Sequence, residues 1–273
     1  MTINCKGTLI DLSTPKVMGI LNLTPDSFYD GGNYKSDLEI LNQVEKMLVD
    51  GATFIDIGAY SSRPNSEHIS EDEELKRLLP TLEMILKKIP ETLISVDTFR
   101  SNIAKKSINI GACMINDISG GTLDSEMFKT IGELQVPYVL MHLKGTPKNM
   151  QQNPNYENVV RDVLKYFSEK VTLLRKEKVN DIILDVGFGF AKTQEHNYTL
   201  LKNLEHFKVL GLPILTGVSR KSMLYKLLGT DAKNALNATT VANTISLQNG
   251  TNILRVHDVK EAVEAIKIME QIQ

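Results

Sequence analysis

The chain lacks most of what would tie a protein to a membrane, a secretory route or a nucleic acid. No apolar run approaches the roughly 20 residues that a bilayer-spanning helix needs. The N-terminal string MTINCKGTLIDLST has no basic segment followed by an apolar one, so secretion is not expected. Two cysteines, Cys5 and Cys113, have no metal-ligand spacing and are too few for a disulfide framework; a buried thiol and a reduced cytoplasm are the expectation. The 31 basic residues nearly balance the 33 acidic ones, leaving a net charge of −2 and a pI near 6.2. The densest basic string, SRKS at 219–222, is too short for a phosphate-backbone stripe, so no nucleic-acid partner is expected. No low-complexity linker divides the 273 residues, and a hydrophobic content of 42% suffices for one closed core over 1–273.

What the chain does have is eight short apolar runs, nearly all closed by a residue able to do polar chemistry. KVMGILN ends at Asn22, TFIDIG occupies 53–58, LISVD ends at Asp97, CMIND at Asp117 and PYVLMH at His142. DIILDVG contains Asp185, PILTGVS ends at Ser219 and NILRVH ends at His257. Short runs rich in Ile, Val and Leu and bounded by Gly or polar residues are expected of strands buried on both faces. Helical periodicity fills most of the intervals. Leu38, Leu41, Val44 and Leu48 recur at helical spacing before Gly51, and Ser70 with Glu73 reads as a capping box ahead of Leu75, Leu78, Leu82 and Ile85. Pro80 is expected to kink that second helix. Tyr156, Val160, Val163, Phe167, Val171 and Leu174 mark a long amphipathic helix, and Asp258 with Glu261 signals the start of the last one. Strand–helix alternation repeated eight times predicts a single (β/α)8 TIM barrel, with its site at the carboxyl ends of the strands. Two connections, 23–36 and 59–69, lack periodicity and are rich in Gly, Pro, Ser and Asn; they are expected to be long mobile loops over that end.

The strand ends carry the chemistry. In MGILNLTPDSFYDGG (18–32), Asn22, Asp26 and Asp30 offer oxygen ligands suited to Mg²⁺, although the same residues also suit a polar turn. SSRP (61–64) adds two hydroxyls and Arg63, which can grip a phosphate or carboxylate. Asp97, Asn116 and Asp117 close neighbouring strands, and LDVGFGFAK adds Asp185, a Gly-rich turn and a lysine. Carboxylates and an amide in one pocket fit a flat heterocycle edged with N–H donors and carbonyl acceptors, with Phe190 available to pack against it. Each Asp alone can equally cap the helix after its strand, and Asp117 suits that role. GVSRKS opens a helix at Lys221 and Ser222, where an anion is favoured. Arg255 and His257 lie two apart on the last strand, on one face, and a buried outward Arg is rare, so both are expected at the barrel mouth.

In the order and spacing of these strings, from MGILNLTPDSFYDGG through SSRP, SVDT, NDISGG, DVGFGFAK and GVSRKS to ILRVHDV, the chain resembles the dihydropteroate synthase family nearly end to end. The resemblance implies a Mg²⁺-assisted transfer that joins p-aminobenzoate to the methylene of a 7,8-dihydropterin diphosphate and releases pyrophosphate. It also implies a homodimer. By position it makes Asn22 the metal contact and Arg255 and His257 the diphosphate site. Asp97, Asn116, Asp185 and Lys221 become the pterin pocket, lined by Met141 and Phe190. Asp26, Phe28 and Asp30, with Ser62, Arg63 and Pro64, become the loop residues that close over the substrates, and Ser222 the anchor for the p-aminobenzoate carboxylate. The catalytic set so implied is Asp30, Arg63, Lys221, Arg255 and His257. The chain departs from the family at Tyr60 and Ser62, where Glu and Thr are commoner, and at Val186 and Ala191, where Pro and Gly are. Two alternatives share the pterin-side residues: a pterin-dependent methyltransferase barrel and a non-catalytic pterin-binding protein. The methyltransferase would not need the TPDSF loop or the Arg-x-His pair.

Overall fold

In a computed structural model, residues 1–23, 37–60, 68–145 and 154–272 are described. An antiparallel hairpin, β1 (Thr2–Cys5) and β2 (Thr8–Asp11), precedes the barrel strands β3 (Lys16–Asn22), β4 (Phe54–Gly58), β5 (Ile94–Asp97) and β6 (Met114–Asp117). β7 (Tyr138–Met141), β8 (Ile182–Asp185), β9 (Ile214–Thr216) and β10 (Ile253–Val256) follow. These eight strands close in the order β10-β3-β4-β5-β6-β7-β8-β9, every pairing parallel. The expected (β/α)8 barrel is what the chain forms.

Helices cover the strands: α1 (Asp37–Val49), α2 (Glu71–Lys88), α3 (Ser101–Ile110), α4 (Met127–Leu134) and α5 (Val159–Lys176). α6 (Gln194–Lys202), α7 (Ser222–Tyr225), α8 (Leu236–Gln248) and α9 (Val259–Met269) complete the ring. Among the described residues, no helix is long and apolar enough to cross a membrane.

Several local expectations need correcting. The buried stripe of α1 is Ile40, Val44 and Met47, whereas Leu38 is exposed, so the apolar face is rotated from the one expected. Ser70 does cap α2 by accepting from the Glu73 amide, but the helix then runs through Pro80 to Lys88. Asp258 makes no side-chain cap at α9, because its carboxylate is taken by Arg220. The helix expected to open at Lys221 and Ser222 is only the single turn of α7. Of the two connections expected as loops, 24–36 and 61–67 lie outside the described residues.

The hairpin is an addition that periodicity did not announce. Its turn, Lys6-Gly7, has φ of 55° and 85°, the doubly left-handed backbone of a tight hairpin turn. It plugs the amino-terminal end of the barrel: Ile3, Cys5 and Leu12 are buried with Met18, Phe54, Met114, Val139, Ile183 and Ile253. Cys5 and Cys113, remote in sequence, are both free and buried in this cluster.

That plug fixes which side chains look into the barrel. On a strand, residues two apart share a face. Two residues beyond Phe54, Met114, Val139, Ile183 and Ile253 stand Asp56, Asn116, Met141, Asp185 and Arg255. An apolar floor is therefore followed, one layer up, by a mostly polar mouth.

Candidate active site

The mouth is organised around one fully buried carboxylate. Asp56 Oδ2 accepts from Asn116 Nδ2 at 3.0 Å and from Arg255 Nε at 2.6 Å. Arg255 Nη2 also donates to Asp97 Oδ2 at 2.9 Å. One guanidinium thus spans β4, β5 and β10, and it faces inward as expected. With Nε and Nη2 engaged, Nη1 is the donor left to meet an anion. Burial pushes the Asp97 carboxyl up to about 7, against the pull of Arg255 and with Asp56 adding to the rise. Strand register brings the ends together in a rung: Asn22 is level with Gly58, Gly58 with Asp97, and Asp97 with Asn116.

The opposite side of the mouth is built by the turn after β8. Asp185, 7% exposed, accepts the Gly187 amide on Oδ1, which leaves its other oxygen for a ligand. Gly187 has φ of 69°, and a Cβ there would fall 2.3 Å from the His142 carbonyl oxygen, so the turn is pressed against the end of β7. Lys221, at the start of α7, donates Nζ to the Phe188 carbonyl and lies 4.7 Å from the centre of the Phe190 ring. Burial, helped by Arg255 and opposed by Asp185, brings Lys221 down to about 8. Burial raises the Asp185 carboxyl, while Lys221, Arg255 and Lys192 resist the rise. Met141, buried, packs with Phe99, Ile118, Leu143 and Ala191, and Phe190 lies against this cluster.

The remaining residues sort by position. His257 is exposed at the rim, its Nδ1 3.0 Å from Ser219 Oγ. Ser222 is half-buried beside Lys221, on a single helical turn whose dipole adds little to an anion site. Asp117 turns away from any ligand role: its carboxylate accepts from the Tyr138 hydroxyl at 2.6 Å and from the Ser119 and Gly121 amides. His142 is buried against Lys192. Asn22 stands half-buried at the end of β3. Asp26, Phe28, Asp30, Ser62, Arg63 and Pro64 lie outside the described residues. Sequence reading passed over Asp56, although an acid in the middle of FIDIG is a signal in itself, since a buried mid-strand charge requires partners.

The pterin binding enzyme family matches residues 18–257 of the chain. Dihydropteroate synthase of Escherichia coli (strain K12) is 41% identical over 275 residues, covering 99% of this chain and 96% of that one. The chain belongs to the dihydropteroate synthase family. The Haemophilus influenzae member is likewise 41% identical, over 99% of this chain and 98% of its own. A Yersinia pestis dihydropteroate synthase solved as a sulfonamide drug complex superposes with a TM-score of 0.94 at 39% identity, covering 100% and 99% of the two chains. A Xanthomonas albilineans dihydropteroate synthase solved with 4-aminobenzoic acid gives 0.92 at 32% identity, covering 100% and 98%.

Of the departures from the commoner dihydropteroate synthase pattern, Val186 is fully buried in the core, and Tyr60 and Ala191 each bear on the site's shape. Tyr60 packs edge-on against Phe99 with ring centres 5.0 Å apart, and its hydroxyl is 3.1 Å from His68 Nδ1. An aromatic anchor here replaces the family's carboxylate. Ala191 takes φ of 50°, which costs an L-residue about 1–2 kcal/mol relative to Gly. Its buried methyl returns about 0.8 kcal/mol of that, so a net strain remains at Ala191.

Proposed function

We propose that this chain condenses p-aminobenzoate with (7,8-dihydropterin-6-yl)methyl diphosphate, forming 7,8-dihydropteroate and pyrophosphate in tetrahydrofolate synthesis. The observation that carries the reading is the convergence of Asp185, Asn116 and Lys221 with the Asp56–Arg255–Asp97 network in one barrel mouth. The free oxygen of Asp185 accepts N–H bonds from the aminopyrimidine edge, Asn116 and Asp97 complete that edge, and Lys221 donates to the ring carbonyl. Phe190 and Met141 cover the ring faces. Arg255 Nη1 and His257 receive the diphosphate, with Arg63 of the second loop, while Asp30 of the first loop stabilises the positive charge that develops on the methylene. Ser222 holds the p-aminobenzoate carboxylate, and Phe28, Ser62 and Pro64 shape its cleft.

The bond from the methylene carbon to the diphosphate oxygen breaks as negative charge on the leaving group meets these cations. The dihydropterin delocalises the positive charge left on the methylene. The arylamine then forms the C–N bond and sheds its proton to water. Among the described residues no cluster of three His, Cys, Asp or Glu is present, so they offer no closed metal cage. A single amide oxygen at the mouth fits Mg²⁺, which takes a few protein oxygens together with phosphates and water; Asn22 would hold it. When bound, Mg²⁺ supplies further neutralisation of the pyrophosphate. The reading includes a cytoplasmic homodimer.

Mixing the protein with the dihydropterin diphosphate, p-aminobenzoate and Mg²⁺ tests it. Pyrophosphate and dihydropteroate are expected to appear together, in equal amounts. Binding of both substrates by folded protein without pyrophosphate release would leave a pterin-binding protein, and transfer from a methylated folate would favour the methyltransferase alternative.

A further inference from the structure

Lys192 closes the DVGFGFAK string, yet it does not open onto the pocket. It is 3% exposed and sits behind the turn that carries Phe190. Its Nζ donates to the Phe190 carbonyl at 2.9 Å and lies 3.0 Å from His142 Nδ1. His142 is itself walled in, its ring edge-on to Tyr166 at 4.8 Å and tilted against Tyr156 at 6.0 Å. Tyr156 donates to the next carbonyl of the turn, that of Ala191, at 2.8 Å. Lys221 holds the Phe188 carbonyl from the other side. Three carbonyls of one short turn, at 188, 190 and 191, are thus fixed by two lysines and a tyrosine. The strain at Ala191 and the close approach at Gly187 need such clamping.

We propose that Lys192 is a positioning residue for the pterin pocket, which locks the Phe188–Ala191 turn to the end of β7 and sets a positive charge behind Asp185. The charged groups around this arrangement come from four elements. Lys221 before α7 and Arg255 on β10 face Asp185 from the pocket side, Lys192 faces it from behind, and His142 with Lys144 follows β7. His142 stays neutral, because burial first and the Lys192 charge second hold it well below the ordinary histidine range; it therefore accepts the lysine's proton bond. Burial, reinforced by Lys221 and opposed by Asp185, brings Lys192 down to about 7. Its charge is consequently present below neutrality and lost above it. Burial raises the Asp185 carboxyl, and a positive charge behind it favours the ionised form that accepts from a pterin edge.

The inference rests on the pterin reading of Asp185, and calorimetry with 6-hydroxymethylpterin as the probe separates the two. Asp185→Asn should weaken binding in the parent background; if it does not, the pocket assignment fails and Lys192 is not at issue. Given that effect, Lys192→Met should weaken binding about tenfold at about pH 6 and only about twofold at about pH 9, where the parent lysine is already neutral. Lys192→Arg, charged at both, should recover most of the acid-pH affinity. Lys192→Gln keeps a donor for the Phe190 carbonyl without the charge and should behave as Met does at acid pH. An equal factor at both pH values, or no effect, would overturn the proposal. Loss of folding in both Met and Gln variants would do the same, leaving a purely structural lysine.

Discussion

Asp56→Ala is the perturbation that most directly tests how the mouth is built. The substitution removes both acceptor oxygens of a carboxylate with no solvent exposure. Asn116 Nδ2 and Arg255 Nε then lose the partners now at 3.0 and 2.6 Å. A buried donor left unsatisfied costs about 1–3 kcal/mol, and removing one partner of a buried ion pair costs about 3–5 kcal/mol. Two features reduce that loss. Arg255 keeps Asp97 and is 19% exposed, and Asp56 Oδ1 has no hydrogen-bond partner among the described residues, so its burial is already unfavourable. The net destabilisation is therefore about 2–4 kcal/mol, or a fall in melting temperature of about 5–15 °C for a domain of this size. Differential scanning calorimetry reads it directly. Asp56→Asn keeps an acceptor for one donor and should lose less than half as much. A melting temperature for the Ala variant within about 2 °C of the parent would refute the reasoning, as would an Asn variant as damaged as Ala.

Asp185→Asn should weaken pterin binding by about 1–3 kcal/mol, because one charge-assisted acceptor is lost; an unchanged dissociation constant would remove Asp185 from the pocket. Pterin affinity should also decline as pH rises through about 8, where Lys221 loses its proton, and Lys221→Met should abolish that limb of the profile. The sign for stability is opposite: a lysine depressed from 10.5 to about 8 penalises the folded state increasingly as pH falls across that interval, and the penalty is complete below it. A pH profile of binding without a step near 8 would mean that Lys221 does not serve as a cation. Tyr138→Phe removes the 2.6 Å bond to Asp117 between two fully buried groups and should cost about 1.5–3 kcal/mol of stability while leaving turnover intact. Lost turnover at unchanged stability would give Asp117 a role in the reaction beyond the structural one.

The strands were legible because a parallel barrel buries them on both faces, and the apolar runs were bounded by residues that could not continue them. Inward-facing Arg255 was legible for a related reason: the outward alternative would have buried a charge against helices. The partners of those charges were not legible. Asp56 and Arg255 are 199 residues apart, and only the closed strand order brings them together. The Tyr138 hydroxyl, which settles the role of Asp117, is likewise a consequence of β6 pairing with β7. The hairpin escaped because four-residue strands around Lys6-Gly7 are too short for a periodic signal. The faces of α2 and α5 were legible, with Leu78, Leu82, Ile85, Val163, Phe167 and Leu174 buried, but α1 was off at Leu38, because a repeat of apolar residues does not say which of two adjoining stripes meets the barrel.

The network has a charge logic that bears on the reaction. Asp56, Asp97 and Asp185 face Arg255, Lys221 and Lys192, so the mouth is neutral when all six are ionised. Arg255 is shared between two carboxylates and cannot satisfy both fully, and burial brings Asp97 and Lys192 to about 7 and Lys221 to about 8. A protein surface would have no reason to hold such groups together away from water. A pocket that must accept N–H donors on one side and a diphosphate on the other does have one. On the proposed function, the donors complete the carboxylates, and the anion takes up positive charge that the shared arginine presents. On that reading each substrate half supplies the partners these groups need, and charge complementarity rather than apolar fit is the basis for orienting the pterin.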